Sequence, residues 1–312
     1  MSSGNDSNYP LVFSPGSPMI AVYRTLEKVR DNPTTVLIEG ESGTGKDVLA
    51  QWLHFNGSRR DAPYIKIDFS SLPEDLVESE LFGYERGAFT GAVTGKVGKL
   101  DLAQGGTAVL DEIASVDLAV QAKLLNVVEA KQFYRLGGNK SIELDARIIA
   151  LSSVPLAKAV ERQIFRQDLF FRLNLITIRV PPLRERRPEI FPMAEFLLEH
   201  LVRKYKATSK LLPECGAVFD QYEFPGNIRE LRNALERALL MSPGQEITPD
   251  ALPPSWLMSR PSQAKMPSLE EIERNYISEV LRQTRGKKVK AAKILGISRK
   301  TLLEKRKKYG LQ

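Results

Sequence analysis

The sequence predicts a three-layer α/β fold around a mostly parallel sheet, followed by a small helical domain and an all-α helix-turn-helix unit. Three observations carry this. The stretch from Thr34 to Leu53, TTVLIEGESGTGKDVLAQWL, reads as a buried strand, a glycine-rich turn and a helix in that order. Short β-branched apolar runs then alternate with segments of helical period as far as Val180. Beyond Pro181 and Pro182 only helical patterns recur.

The elements follow in chain order. Residues 1–11 form a polar tail with no room for a sensory domain. In the core, Val36, Leu37 and Ile38 make a strand; Gly40, Gly43 and Gly45 open the turn; Val48, Leu49, Trp52 and Leu53 recur at helical spacing. Further strands are expected at Tyr64 to Phe69, Thr107 to Leu110, Ala146 to Ser152 and Asn174 to Val180, with Leu118 to Glu129 helical between them. Residues 12–181 are thus read as the α/β domain. Helices over Pro188 to Tyr205 and Asn227 to Met241 make residues 182–257 a helical domain. Residues 258–268, MSRPSQAKMPS, have linker composition. Residues 269–312 open on Ile272, Tyr276 and Val280, expected on one helical face, and form the third domain.

At 312 residues, 42% hydrophobic and 27% charged, the composition is that of an ordinary soluble protein with room for more than one domain. No apolar run approaches the ~18 residues of a membrane span, and the N-terminus MSSGNDSN lacks signal-peptide order, so a cytoplasmic protein without membrane contact is expected. A single cysteine, Cys215, excludes an internal disulfide, and His54 and His200 give no zinc spacing. The net charge of +7 is uneven: from Leu281 to Gln312 twelve Lys or Arg face one acid, Glu304, a net +11 that leaves the rest of the chain at −4. Because this basic run overlaps an apolar helical pattern, it favours nucleic acid over a merely solvated face.

Gly40, Glu41, Ser42, Gly43, Thr44, Gly45, Lys46 and Asp47 spell a phosphate-binding loop. Backbone N–H groups close around an anion, the helix N-terminus adds partial positive charge, and Lys46 can reach the β- and γ-phosphates. Asp47 stands where such loops carry a metal-ligating hydroxyl, so a metal must be held differently. TAVLDE, Thr107 to Glu112, is an apolar strand ending in two carboxylates; after such a loop, Asp111 would hold Mg²⁺ and Glu112 would polarise the attacking water. In QIFRQDLFFRLN, Arg166 and Arg172 read either as arginines reaching a neighbouring subunit's γ-phosphate or as members of local ion pairs. FPGNIREL puts Arg229 in the first turn of a helix, where it suits phosphate sensing; a solvated surface arginine is the plainer reading. ERGAFTGA sets Phe89 and Thr90 among glycines, as a partner contact on a movable loop or as a packed turn whose Phe89 fills the local core.

In the tail, Val289 to Leu295, Gly296 and Ser298 to Tyr309 read as helix, turn and helix, with Ser298 as N-cap and Ala291, Ala292, Leu295, Ile297 and Leu302 between the helices. Arg299, Lys300, Lys307 and Lys308 stay outside that contact, and the first turn of the second helix, with Ser298, Arg299, Lys300 and Thr301, would meet base edges in a major groove. A basic hairpin for RNA or acidic protein is the competing reading.

Read together, these segments resemble the sigma-54-dependent bacterial enhancer-binding proteins. The marks are GESGTGKD at Gly40, ESELFGYERGAFTGA at Glu78, GGTAVLDEI at Gly105, FRQDLFFRLN at Phe165, FPGNIREL at Phe224 and AAKILGISRKTL at Ala291, covering nearly the whole chain. The resemblance implies an AAA+ P-loop ATPase core with a helical lid and a Fis-type helix-turn-helix, using ATP and Mg²⁺. It implies that Gly87, Ala88, Phe89, Thr90, Gly91 and Ala92 grip the sigma factor, that Asp111 and Glu112 form the Walker B pair, that Arg166 and Arg172 act in trans, and that Ser153 and Arg229 are sensors of bound nucleotide. Two positions depart. Ser153 replaces the usual sensor Asn, and Asp68 replaces the Asn that restrains the catalytic Glu, so coupling to Glu112 is expected to be disturbed and hydrolysis slow or differently regulated. Without a receiver domain, control would come from expression level or a separate protein.

The function implied is ATP-driven remodelling of a sigma-54 RNA polymerase promoter complex by a homo-oligomeric ring, with a hexamer expected, bound to double-stranded enhancer DNA. The alternative is a DNA-binding regulator that binds ATP with little turnover, as the weaker partner in a mixed ring.

Overall fold

The computed structural model describes residues 16–242 and 244–257 and, toward the C-terminus, 273–274, 276–278, 280–281, 284 and 288–310. The polar tail, the linker at 258–268 and the expected helix start at 269–272 lie outside the described residues. The chain divides into two compact units, Met1–Ser259 and Arg260–Gln312.

The first unit is built on a five-stranded parallel sheet. Its strands are β1 (Val36–Glu39), β2 (Tyr64–Asp68), β5 (Thr107–Asp111), β8 (Arg147–Ser152) and β9 (Ile176–Arg179), in the order β2-β5-β8-β1-β9. These are the five apolar runs, with β2, β8 and β9 trimmed at their ends and β1 and β5 each one residue longer than expected. Side chains alternate across a strand, and here the alternation separates two cores. Val36, Ile38, Val109, Ile149 and Leu151 pack with Leu26 of α1 (Met19–Val29) and with Leu49 and Leu53 of α2 (Lys46–Phe55). Leu37, Ala108, Leu110, Ile148 and Ala150 face the other way, onto α3 (Glu74–Phe82), α4 (Lys99–Leu102), α5 (Leu118–Glu129), α6 (Leu156–Glu161) and α7 (Gln167–Leu173). With both faces covered, the central strands β1, β5 and β8 are buried along their whole length.

Two antiparallel hairpins interrupt this alternation. Strands β3 (Gly83–Tyr84) and β4 (Lys96–Val97) bracket the Gly87 to Ala92 loop, and β6 (Gln132–Tyr134) pairs with β7 (Ser141–Glu143). The hairpins meet where Glu85 N–H donates to Leu136 O at 3.0 Å and Leu136 N–H to Gly83 O at 3.0 Å.

After β9 the chain turns helical. A short 3-10 turn, Arg187–Glu189, precedes α8 (Ile190–Tyr205), so the helix expected from Pro188 begins at Ile190. With α9 (Cys215–Gln221), α10 (Asn227–Met241) and α11 (Pro254–Leu257) it encloses a separate apolar core. Trp256 anchors that core, its ring stacked on Tyr222 with centroids 5.0 Å apart.

In the second unit, helices Lys288–Leu295 and Arg299–Tyr309 meet across Gly296, whose φ of +67° closes the turn. Ala291, Ala292 and Leu302 pack with Ile277, Val280 and Leu281. The buried face of the preceding segment is therefore Ile277, Val280 and Leu281, at i, i+3 and i+4. Tyr276, expected on that face, points outward and is 57% exposed.

Candidate nucleotide site

Strand β1 delivers the glycine-rich loop to the C-terminal edge of the sheet, and α2 starts at Lys46. Gly43 has φ +77°, and a Cβ there would lie 2.3 Å from Gly226 O, so only glycine lets the loop and α10 approach this closely. The Lys46 ammonium lies under the loop, donating to Gly40 O at 2.7 Å and Glu41 O at 3.2 Å, and is 3.9 Å from Glu112 Oε1. Burial pushes its pKa down, while Glu112, Asp111 and Asp47 pull the other way. A cavity of about 320 Å³ opens between the loop and the helical domain. Its lining combines Lys46, Asp47, Asp111 and Glu112 with the apolar Met19, Met193, Phe196 and Ile228. That mixture suits a ligand with both an anionic group and a flat apolar group.

The carboxylates at the end of β5 are individually held. Asp111 is buried, which raises its pKa against the lowering effect of Lys66. Its Oδ1 accepts the Glu112 N–H at 3.0 Å, and its Oδ2 is 2.8 Å from Lys66 Nζ. The same ammonium donates to Asp47 Oδ1 at 2.6 Å. Burial lowers the Lys66 pKa, but the Asp111 and Asp47 carboxylates outweigh it and hold it above the usual value. Glu112 adopts a left-handed φ of +53°, and its Oε2 accepts the Ser153 hydroxyl at 2.6 Å and the Ser153 N–H at 3.2 Å. Asp68 is spent elsewhere: its Oδ1 accepts Ser70 N–H at 3.0 Å and Ser70 Oγ–H at 2.7 Å, capping a 3-10 turn. Of the two departing positions, then, Ser153 hydrogen-bonds the Glu112 carboxylate and Asp68 bonds to Ser70.

The helical domain reaches into the loop through four side chains. Arg184 grips Glu41 with two hydrogen bonds, 2.8 and 2.6 Å, which hold the Glu41 carboxyl below its ordinary range. Arg186 is buried and donates to Thr44 O at 2.9 Å. Arg229 donates to Ser42 Oγ at 2.7 Å. Asn227, fully buried with φ +52°, accepts Leu183 N–H at 2.7 Å and donates to Ser42 O at 3.1 Å and to Glu41 Oε2 at 3.2 Å. Left-handed backbone is tolerable in Asn, and the amide then serves strand exit and loop at once.

Lys66, Arg184, Arg186 and Asn227 were not among the expected site residues. A lone Lys within the apolar YIKI and the basic run RERR after Pro182 were the available signals.

Arg166 and Arg172 do not reach this cavity. Arg166 pairs with Asp168 through bonds of 3.0 and 2.7 Å, and Arg172 pairs with Glu129. Both lie at the surface, beside exposed Phe171 and Leu175. The Gly87 to Ala92 loop closes on itself, Gly87 N–H to Ala92 O at 2.9 Å and Ala92 N–H to Phe89 O at 3.0 Å, with Ala88 close against Gly137 and Thr90 exposed. Gly87 and Gly91 both have positive φ. Phe89 is 49% exposed and packs edge-on to Tyr84, with centroids 5.0 Å apart. In the second unit Ser298 Oγ accepts Thr301 N–H at 3.0 Å, and Arg299, Lys300 and Lys307 are exposed.

A family model described as the sigma-54 interaction domain matches residues 13–179, one described as the AAA+ ATPase lid domain matches 184–269, and one described as bacterial regulatory protein, Fis family, matches 268–309. Among curated proteins, the regulatory protein AtoC of Escherichia coli (strain K12) is 38% identical over 309 residues, covering 94% of this chain and 66% of its own length. The DNA-binding transcriptional regulator NtrC of Salmonella typhimurium is 40% identical over 320 residues, with 93% and 68% covered. The chain thus spans about two thirds of the length of these relatives. Among solved structures, NtrX from Brucella abortus in complex with ATP superposes with a TM-score of 0.74 at 29% identity, covering 96% of this chain and 70% of that one. Its ADP complex gives 0.73 at 30%.

Proposed function

The chain belongs to the sigma-54-dependent transcriptional activators, AAA+ ATPases with a helical lid and a Fis-type helix-turn-helix, and from that premise we propose that it hydrolyses ATP in the cavity under Gly40 to Asp47 to remodel sigma-54 RNA polymerase at a promoter. The observation that carries this is the convergence of Lys46, Asp111 and Glu112 on the one cavity that Arg186 and Arg229 of the lid also line.

The phosphates would lie on the loop N–H groups and the α2 N-terminus, with Lys46 neutralising charge. Arg229 and Arg186 would take the lid side of the same anion. Glu112 would orient the attacking water and accept its proton once Ser153 releases the Oε2 atom. The donors fit Mg²⁺: the Asp47 and Asp111 carboxylates already converge on a single cation, the Lys66 ammonium, at 2.6 and 2.8 Å, and hard oxygen ligands are what this ion takes. When bound, Mg²⁺ would offset charge on the β- and γ-phosphates.

Arg166 and Arg172 would leave Asp168 and Glu129 to reach a neighbour's nucleotide, which requires a homo-oligomeric ring, with six subunits as the family's arrangement. Gly87 to Ala92 would carry the mechanical output to the sigma factor. Residues 269–312 would hold the ring on double-stranded enhancer DNA, with Ser298, Arg299, Lys300 and Thr301 toward the bases and Lys307 toward the backbone. Among the described residues no helix is long and apolar enough to cross a membrane, and the proposed partners put the protein in the cytoplasm. The test is a binding and phosphate-release pair: Lys46→Ala should lose ATP binding, and Glu112→Gln should bind ATP without hydrolysing it. Equal ATP affinity in wild type and Lys46→Ala refutes the site.

A second reading, a weakly hydrolysing ATP-dependent regulator acting as the weaker partner in a mixed ring, is favoured by one contact, the Ser153 hydroxyl on Glu112. Steady turnover by the protein on its own separates the two.

A further inference from the structure

Lys66 stands on β2, in register with Val109 of β5, and its side chain reaches the first turn of α2 and the end of β5. Its Nζ lies 2.6 Å from Asp47 Oδ1 and 2.8 Å from Asp111 Oδ2. Since the remaining Asp111 oxygen accepts the Glu112 N–H at 3.0 Å, both oxygens of that carboxylate are engaged. Five formal charges meet here, Lys46 and Lys66 against Asp47, Asp111 and Glu112. Lys66 brings their sum to −1, where it would otherwise be −2.

We propose that Lys66 is a positioning residue that serves the nucleotide site as a built-in monovalent cation, holding Asp47 and Asp111 in the role otherwise left to Mg²⁺ and lowering the advantage that Mg²⁺ gives to nucleotide binding. Two effects act in the same direction. A divalent ion must share or displace the ammonium to reach Asp111, which weakens its hold. A nucleotide arriving without metal meets one positive charge more, which strengthens it. A purely structural salt bridge would fasten α2 to β5 and leave the metal dependence of binding alone.

This inference rests on the cavity being the nucleotide site, and the experiment keeps the two claims apart. ADP binding to the full chain is measured by calorimetry in excess Mg²⁺ and in EDTA, with thermal melting of each variant alongside. Wild type should bind in both, with affinities within about threefold of each other. Lys66→Gln should widen that ratio by about tenfold or more, the order expected for one charge at this range. Lys66→Arg, which keeps the charge, should stay near wild type. An unchanged ratio in Lys66→Gln overturns the proposal. So does a wild-type ratio near a hundredfold, which needs no variant to fold. ADP binding undiminished in Lys46→Ala would instead overturn the site itself.

Discussion

The hydroxyl of Ser153 donates to Glu112 Oε2 at 2.6 Å, linking the end of β8 to the carboxylate that follows β5. The oxygen it occupies is one that a general base must offer to water. Ser153→Ala should therefore raise basal ATP turnover, by about three- to tenfold if the bond is worth the 1 kcal/mol or so typical of such contacts, and leave nucleotide affinity unchanged. Single-turnover hydrolysis measures this, and a rate at or below wild type would show that the hydroxyl orients Glu112 instead of restraining it.

Arg184 ties the lid to Glu41, and the tie has a pH signature. The guanidinium holds the Glu41 carboxyl below its ordinary value of 4.5. A depressed carboxylate contributes stability that is fully present above that ordinary value and is lost as pH falls through the folded one. Between pH 5 and 3, wild type should lose melting temperature more steeply than Arg184→Ala. The effect will be modest, because both side chains are about a third or more exposed. Parallel curves would mean that the pair contributes nothing.

Phe89 is half exposed, so Phe89→Ala should lower stability by less than about 1 kcal/mol, well short of the roughly 3 to 5 of a buried aromatic. Thr90→Ala should keep ATPase activity and DNA binding but fail in open-complex formation with sigma-54 polymerase. Normal promoter opening by both variants would remove the loop from the mechanism.

In the isolated chain Arg172 and Arg166 are neutralised by Glu129 and Asp168, yet neither approaches the cavity. Turnover per subunit should rise with protein concentration, and Arg172→Ala subunits mixed with Lys46→Ala subunits should regain activity. If mixed oligomers form and no ratio restores turnover, the arginines do not act across a subunit boundary.

Ending the chain at residue 268 should abolish DNA binding and retain ATPase activity. Within the tail, Arg299→Ala should relax sequence preference, while Lys307→Ala should weaken all sequences alike and reduce the salt slope by about 0.9. Specific binding by the truncated chain would place the DNA site elsewhere.

The parts legible in the sequence are those whose meaning is local. The loop Gly40 to Asp47, the strand ending in Asp111 and Glu112, and α5 from Leu118 to Glu129 are each one uninterrupted string whose periodicity or glycine spacing states its conformation. Helix α1 was equally local, with Met19, Val22, Leu26 and Val29 at helical spacing, but it was not among the expected elements. Asn227 was legible only as a helix start. Its amide serves Glu41, 186 positions away, and nothing in FPGNIREL states that distance. The two readings of Phe89 also differ only in what surrounds the ring, which the structure decides by leaving it half exposed against Tyr84 of β3.

Gly43 has no room for a Cβ beside Gly226, and Ile228 N–H donates to Gly43 O at 2.9 Å. Loop and lid are therefore cut to each other's shape, which matters to anyone exchanging parts between relatives. A chimera that joins residues 12–181 to a foreign lid would bring a mismatched partner to Gly43. It would be expected to fold in both halves and to seat them poorly, unless the residues equivalent to Gly226, Asn227 and Ile228 travel with the graft.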